Sequence, residues 1–104
     1  MVDQVVIEEA ARRLATAAGD SALVILFGSH ARGDADARSD IDFLVVEPQV
    51  GNEADEAVRL RRELRDLRVP VDVVVVSRAY ADEWRDVRGG IVHSALNEGR
   101  VLAG

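Results

Sequence analysis

Cysteine is absent from this chain of 104 residues, which excludes a disulfide framework and any thiolate metal centre. A metal here would be held by oxygen or imidazole, and carboxylates are the abundant ligands, with 19 Asp and Glu against 2 His. Lysine is absent as well, all 13 basic residues being arginine, and no function class follows from that. No apolar run reaches transmembrane length and no basic leader precedes an apolar stretch, so the chain reads as soluble, untargeted and cytoplasmic. Positive charge is also in deficit. A net charge of −6 argues against gripping long nucleic acid, because that affinity comes from Lys and Arg neutralising phosphates. A phosphate-bearing substrate would therefore need divalent cations. No repeat, low-complexity tract or linker divides the sequence, which reads as one domain over residues 1–104.

What is present alternates between helical and strand periodicity. Ile7, Ala10, Ala11, Leu14 and Ala18 recur at helical spacing, predicting a helix over 3–18 that Gly19 stops. The runs at 22–27 (ALVILF) and 41–47 (IDFLVVE) predict strands. Asn52 suits a helix cap, the acids Glu53, Asp55 and Glu56 suit a first turn, and Ala57, Leu60, Leu64 and Leu67 share a face; that helix must end before Pro70. Residues 71–76 (VDVVVV) read as a central strand carrying one anomalous charge, Asp72. Helices over 78–87 and 91–98 follow, then a short tail, RVLAG. The order αβ(turn)βαβαα is an α/β sandwich.

The chemistry concentrates in LFGSHARGDADARSDIDFLVV, residues 26–46. Ionised carboxylates are expensive inside strands unless cations or dense hydrogen bonding compensate them. Asp40 and Asp42 flank Ile41, so on a strand they project to one face, and Asp72 completes a three-carboxylate cluster if its strand is the neighbour. Such a cluster calls for divalent cations, and hard oxygen donors suit Mg²⁺ or Mn²⁺ in a two-metal arrangement. Gly28 and Ser29 follow a strand directly and open a turn into a short helix. There the bare backbone, the hydroxyl and the N–H groups suit a phosphate.

GS, ten residues, then DID, with HARGDADARS as the filling, resembles the signature of the minimal nucleotidyltransferases (the MNT domain), small members of the polymerase-beta-like nucleotidyltransferase superfamily. The resemblance runs from the first helix through VDVVVV to LNEGRVL, which is similar to the family's terminal helix and strand, although Ala103 and Gly104 stand where an aromatic often follows VL. It implies a polymerase-beta-like fold, a small mixed sheet with helices packed against it. It also implies that Gly28 and Ser29 hold a nucleoside triphosphate, that Asp40 and Asp42 ligate two Mg²⁺ ions, and that Asp72 holds one of them and helps to activate a hydroxyl. AMP would pass from ATP to that hydroxyl. The family further implies an antitoxin that modifies a tyrosine of a HEPN-type ribonuclease toxin. The negative net charge suits such a basic, RNA-binding partner.

Several residues have quieter readings. Asp34 and Asp36 read as solvated turn residues. Arg32 and Arg38 either fork onto substrate phosphates or pair with a loop aspartate. His30 lies beside the phosphate turn, while His93, Tyr80 and Trp84 read as ordinary helix and core-covering residues. The run RLRRELRDLR reads as a solvated helix face with pairs such as Arg62 with Asp66. Two classes of function remain open: an enzyme that adds AMP to a hydroxyl, and a related fold that neutralises a partner by binding alone. Base preference, acceptor and homo-oligomerisation are not legible here.

Overall fold

The computed structural model describes residues 3–104. Helix α1 spans Gln4–Ala18 and is capped by Asp3, whose side chain accepts from Val6 N–H at 3.1 Å. Strand β1 is Leu23–Phe27, the single-turn helix α2 is Ser29–Arg32, and strand β2 is Ile41–Glu47. Helix α3 (Glu53–Arg62) begins at Asn52, which accepts from Asp55 N–H at 2.9 Å as its acidic first turn predicts. A 3₁₀ turn at Arg65–Leu67 and a left-handed Arg68 then bring the chain to Pro70 and strand β3 (Val71–Ser77). Helices α4 (Arg78–Trp84) and α5 (Ile91–Glu98) follow, and the tail forms strand β4 (Arg100–Ala103).

The sheet order is β3-β2-β1-β4, with β2 and β3 parallel and the other pairs antiparallel. The mixed sheet with packed helices is the expected class. The expected central strand, however, is an edge strand: β3 hydrogen-bonds only to β2. Its valines reflect burial on both faces, against α3 on one side and α4 on the other, rather than a strand beyond it. The tail that periodicity leaves unassigned is the opposite edge, paired with β1, as the resemblance implies. The expected Arg62 to Asp66 pair does not form. Helix α3 ends at Arg62, and Asp66 instead meets Arg13 of α1.

Alternation along β2 divides the interior. Ile41, Phe43 and Val45 face α1 and α3, where Ile7, Ala10, Leu14, Leu60 and Leu64 bury with them. Leu44 and Val46 face α4 and α5, with Ile25, Val76, Ala81, Val92 and Ala95. Asp42 shares the parity of Leu44, so it belongs to the second face at the open end of the strand.

At the other end of β2 the alternation brings a carboxyl inward. Glu47 is buried, at 8 % exposure, and its Oε2 has no hydrogen-bond partner. Burial first, then a shared proton with Glu56 and its negative charge, push Glu47 up to about 7. Glu56, held by two 2.7 Å bonds from Arg59 and by Glu47, falls to about 2. Arg59 also donates to Ala17 O at 3.0 Å, so the group ties β2, α3 and α1 together.

A raised pKa in the folded state means that the fold holds a proton the unfolded chain releases. The stabilisation is therefore complete below the ordinary value of 4.5 and disappears as pH rises through about 7. Glu47→Gln keeps a donor toward Glu56 and removes the buried charge. It should equal the parent at pH ~5 and exceed it at pH ~8 by on the order of 1–2 kcal/mol in urea melts. A constant difference across that range would show that Glu47 does not titrate in the fold.

Candidate active site

Parallel pairing of β2 with β3 places Asp42 directly opposite Asp72 in the register Ile41 to Val71, Asp42 to Asp72, Phe43 to Val73. Neighbouring strands lie roughly 5 Å apart, and residues opposite each other point to the same face. The register is anchored by Ile41 N–H donating to Pro70 O at 2.9 Å. Asp40 stands two residues before Asp42, just outside the strand. On the other flank, antiparallel pairing brings Phe27 opposite Asp42, so the chain leaving β1 enters Gly28 beside that carboxylate.

Gly28 has φ 77 and ψ −158, a conformation that only glycine adopts without strain. A Cβ there would collide with Asp42 Oδ2 and lie 3.2 Å from its Cγ. The missing side chain is thus the space that the Asp42 carboxyl occupies. Gly28 O accepts from Ala31 and Arg32 N–H, both at 3.0 Å, which starts α2. The leading N–H groups of such a turn have no carbonyl partner within it, and the Ser29 hydroxyl makes no hydrogen bond among the described residues. The turn offers unpaired donors beside acidic side chains.

The loop from Asp34 to Ser39 is self-organised. Asp36 accepts from Arg38 N–H at 2.8 Å and from the Ser39 hydroxyl at 3.2 Å, and Asp36 N–H donates back to Ser39 Oγ at 2.9 Å. Asp36 is therefore a turn residue, as its composition suggests, and it sets the approach to Asp40. Arg32 pairs with Asp34 at 3.3 Å, and also with Glu98 of α5 at 3.3 Å, a link no sequence pattern announces. The Arg38 side chain is exposed and has no carboxylate partner among the described residues.

The electrostatics of Asp42 follow from this placement. Its pKa is raised by burial first, then by the charges of Asp72 and Asp40, while His30 and Arg32 pull it back. His30, whose Nε2 lies 3.4 Å from Ser39 O, and Arg32 thus act on the site through charge. No donor pairs with Asp40, Asp42 or Asp72 among the described residues. The neighbouring strands that a three-carboxylate cluster requires are present, with Asp42 opposite Asp72 and Asp40 two residues before it; among the described residues no group of three acidic or imidazole side chains is already drawn together as a metal cage. Asp40 and Asp72 are exposed and Asp42 is half-buried between them and Gly28. The donors themselves, oxygen only, anionic and unpaired, fit hard divalent cations such as Mg²⁺ or Mn²⁺.

Known structures share this architecture. A chain of a toxin–antitoxin complex with AMP-PNP superposes with a TM-score of 0.66 at 22% identity, over 93% of this chain and 73% of that one. A chain of the complex between a tri-AMPylated Shewanella oneidensis HEPN toxin and an MNT antitoxin gives 0.64 at 21% identity, over 98% and 73%. A mutant of the MntA–HpeT toxin–antitoxin gives 0.68 at 21%, over 93% and 73%. The fold is thus shared with chains of MNT toxin–antitoxin complexes. Residues 7–102 match the nucleotidyltransferase domain, and the chain belongs to that family. Comparison with curated protein sequences gives no match. Among the described residues, no helix is long and apolar enough to cross a membrane.

Proposed function

We propose that this nucleotidyltransferase domain moves AMP from ATP to a hydroxyl of a partner protein, a tyrosine of a HEPN-type ribonuclease toxin, and so acts in the cytoplasm as its antitoxin. The observation that carries this reading is the in-register pairing of Asp42 with Asp72 beside the Gly28–Ser29 turn. The structural relatives support the nucleotide and the acceptor, one complex holding AMP-PNP and another a tri-AMPylated HEPN toxin.

In this reading the turn at Gly28 and Ser29 holds the triphosphate with N–H and hydroxyl donors, and Arg38 forks onto a phosphate. Asp40 and Asp42 hold two Mg²⁺ ions and Asp72 one of them; Mn²⁺ can substitute. Bound there, the cations neutralise triphosphate charge and lower the pKa of the attacking hydroxyl. A tyrosine hydroxyl, ordinarily protonated below pH ~10, passes its proton to Asp72 as its oxygen attacks the α-phosphorus. The new oxygen–phosphorus bond forms, the bond to the oxygen bridging the β-phosphate breaks, and pyrophosphate leaves. Positioning and electrostatics supply most of the acceleration.

Mixing the protein with a HEPN-type toxin encoded beside it, ATP and Mg²⁺ should add AMP mass to the toxin and silence it, with no addition by Asp42→Asn. The second reading is a related fold that neutralises its partner by binding alone. Silencing without added mass, and equally by the Asp42 variant, would establish that second reading.

A further inference from the structure

Outside the carboxylate site, the densest unpaired charge lies on α3. Arg61, Arg62 and Arg65 line one cavity of about 370 Å³ together with Val58. Arg12, Arg13, Arg32, Arg59 and Arg85 all meet carboxylates, but none of these three does among the described residues. The dipole of α3 favours cations in its last turn, which accounts for Arg61 and Arg62. It does not account for Arg65, which lies beyond the helix, nor for Val58, left 40% exposed among guanidinium groups. Val58, Arg61 and Arg62 share one side of α3 and Arg65 of the following 3₁₀ turn lines the same groove, so the four form one stripe beside the buried Leu60 and Leu64.

Its place relative to the carboxylates is fixed by topology. Helix α3 connects two parallel strands, so it runs back against them and ends where they begin. That is the end bearing Asp40, Asp42 and Asp72, with α3 on the sheet face of Ile41 and Phe43 and Asp42 projecting from the other. Among the described residues no strand lies outside β3, so a molecule seated on the stripe can pass round the open edge to Asp72. Guanidinium forks spaced about one helical turn apart match carboxylates at the same spacing, and Val58 offers an apolar contact between them. A phosphodiester backbone would leave the valine unused, and the net charge of −6 repels a long polyanion.

We infer that the stripe of Val58, Arg61, Arg62 and Arg65 docks an acidic segment of the acceptor protein and holds it at the catalytic end of the domain; that the segment belongs to the acceptor rests on the function proposed above. The docking is tested without nucleotide, so its outcome is independent of AMP transfer. A fluorescent peptide with glutamates one helical turn apart and one leucine between them should bind the whole chain. Arg61→Glu with Arg65→Glu should weaken that binding by about tenfold or more, and the glutamine pair by less. Both variants should keep the parent's rise in melting temperature with ATP and Mn²⁺, the glutamine pair from nearly the parent value and the glutamate pair from a somewhat lower one, because α3 favours a cation at Arg61. Absence of peptide binding, or equal binding by parent and variants, overturns the proposal. So does an oligouridylate that outcompetes the peptide and is lost with the same arginines, which would make the stripe a nucleic-acid site.

Discussion

Asp42→Asn should melt at a higher temperature than the parent in the absence of ligand, and should lose nucleotide transfer. The first effect follows from the direction of the Asp42 shift. Burial and the neighbouring charges of Asp72 and Asp40 hold its pKa above the ordinary 3.8, so the ionised form present at neutral pH opposes folding. Asparagine keeps the shape and removes the repulsion, and the gain should shrink in acid, where the parent is protonated as well. The second effect follows from the site reading, in which the same carboxylate is needed by the cations. Transfer should fall on the order of 10³-fold or more. Scanning calorimetry with and without Mn²⁺ and a non-hydrolysable ATP analogue separates the two. The parent should gain stability from the ligands by mass action and the variant should not. Ligand stabilisation as large in the variant as in the parent would remove Asp42 from the metal site.

Much of the fold is legible because local patterns and tertiary demands agree. The cap at Asp3, the stop at Gly19, the Asn52 cap with its acidic turn and the break before Pro70 stand where their chemistry suggests. The place of β3 is not legible in the same way. A valine run reports burial on two faces, and helices on both sides bury an edge strand as well as neighbouring strands bury a central one. That correction changes the meaning of Asp72. A charge on an edge strand guards against pairing with another chain, a structural reason that the residue would lack in a central strand. What singles Asp72 out is its register with Asp42, and register is a property of two strands that neither sequence segment carries alone.

The same division holds at the site. Spacing around Ile41 and the position of Gly28 and Ser29 after an apolar run mark the candidate site residues, which the fold then places at one end of the sheet. Arg32 with Glu98 spans 66 positions, and no local pattern marks it. Glu47 had a faint signal, a carboxylate closing an apolar run before Pro48, but its burial depends on α3 packing over the end of β2. The three-carboxylate grouping rested on a condition that the sequence could not supply, that the strand of Asp72 be the neighbour of the strand of Asp42, and the parallel pairing meets it.

Gly28→Val should cost both stability and nucleotide binding, whereas Asp34→Ala should cost neither appreciably. At Gly28 two penalties combine. The backbone lies at φ 77, where a β-branched residue is strained, and the new Cβ enters the space held by the Asp42 carboxyl. Strain of this kind costs on the order of 1–3 kcal/mol, and relief of the collision requires Asp42 to turn away from the turn or the backbone to open. Either response moves the carboxylate relative to the N–H groups at the start of α2, so the proposed phosphate and cation sites are disturbed together. Asp34 is exposed and pairs only with Arg32, which keeps Glu98 as a partner, so its loss is absorbed at the surface. Titration of ATP with Mg²⁺ into both variants, at a temperature where both are folded, isolates binding from stability. Gly28→Ala serves as the milder case: its methyl group meets the same Asp42 oxygen without the branching, so it should bind nucleotide far more weakly than Asp34→Ala while remaining folded. Nucleotide affinity in Gly28→Ala equal to that of the parent would show that the triphosphate does not use this turn.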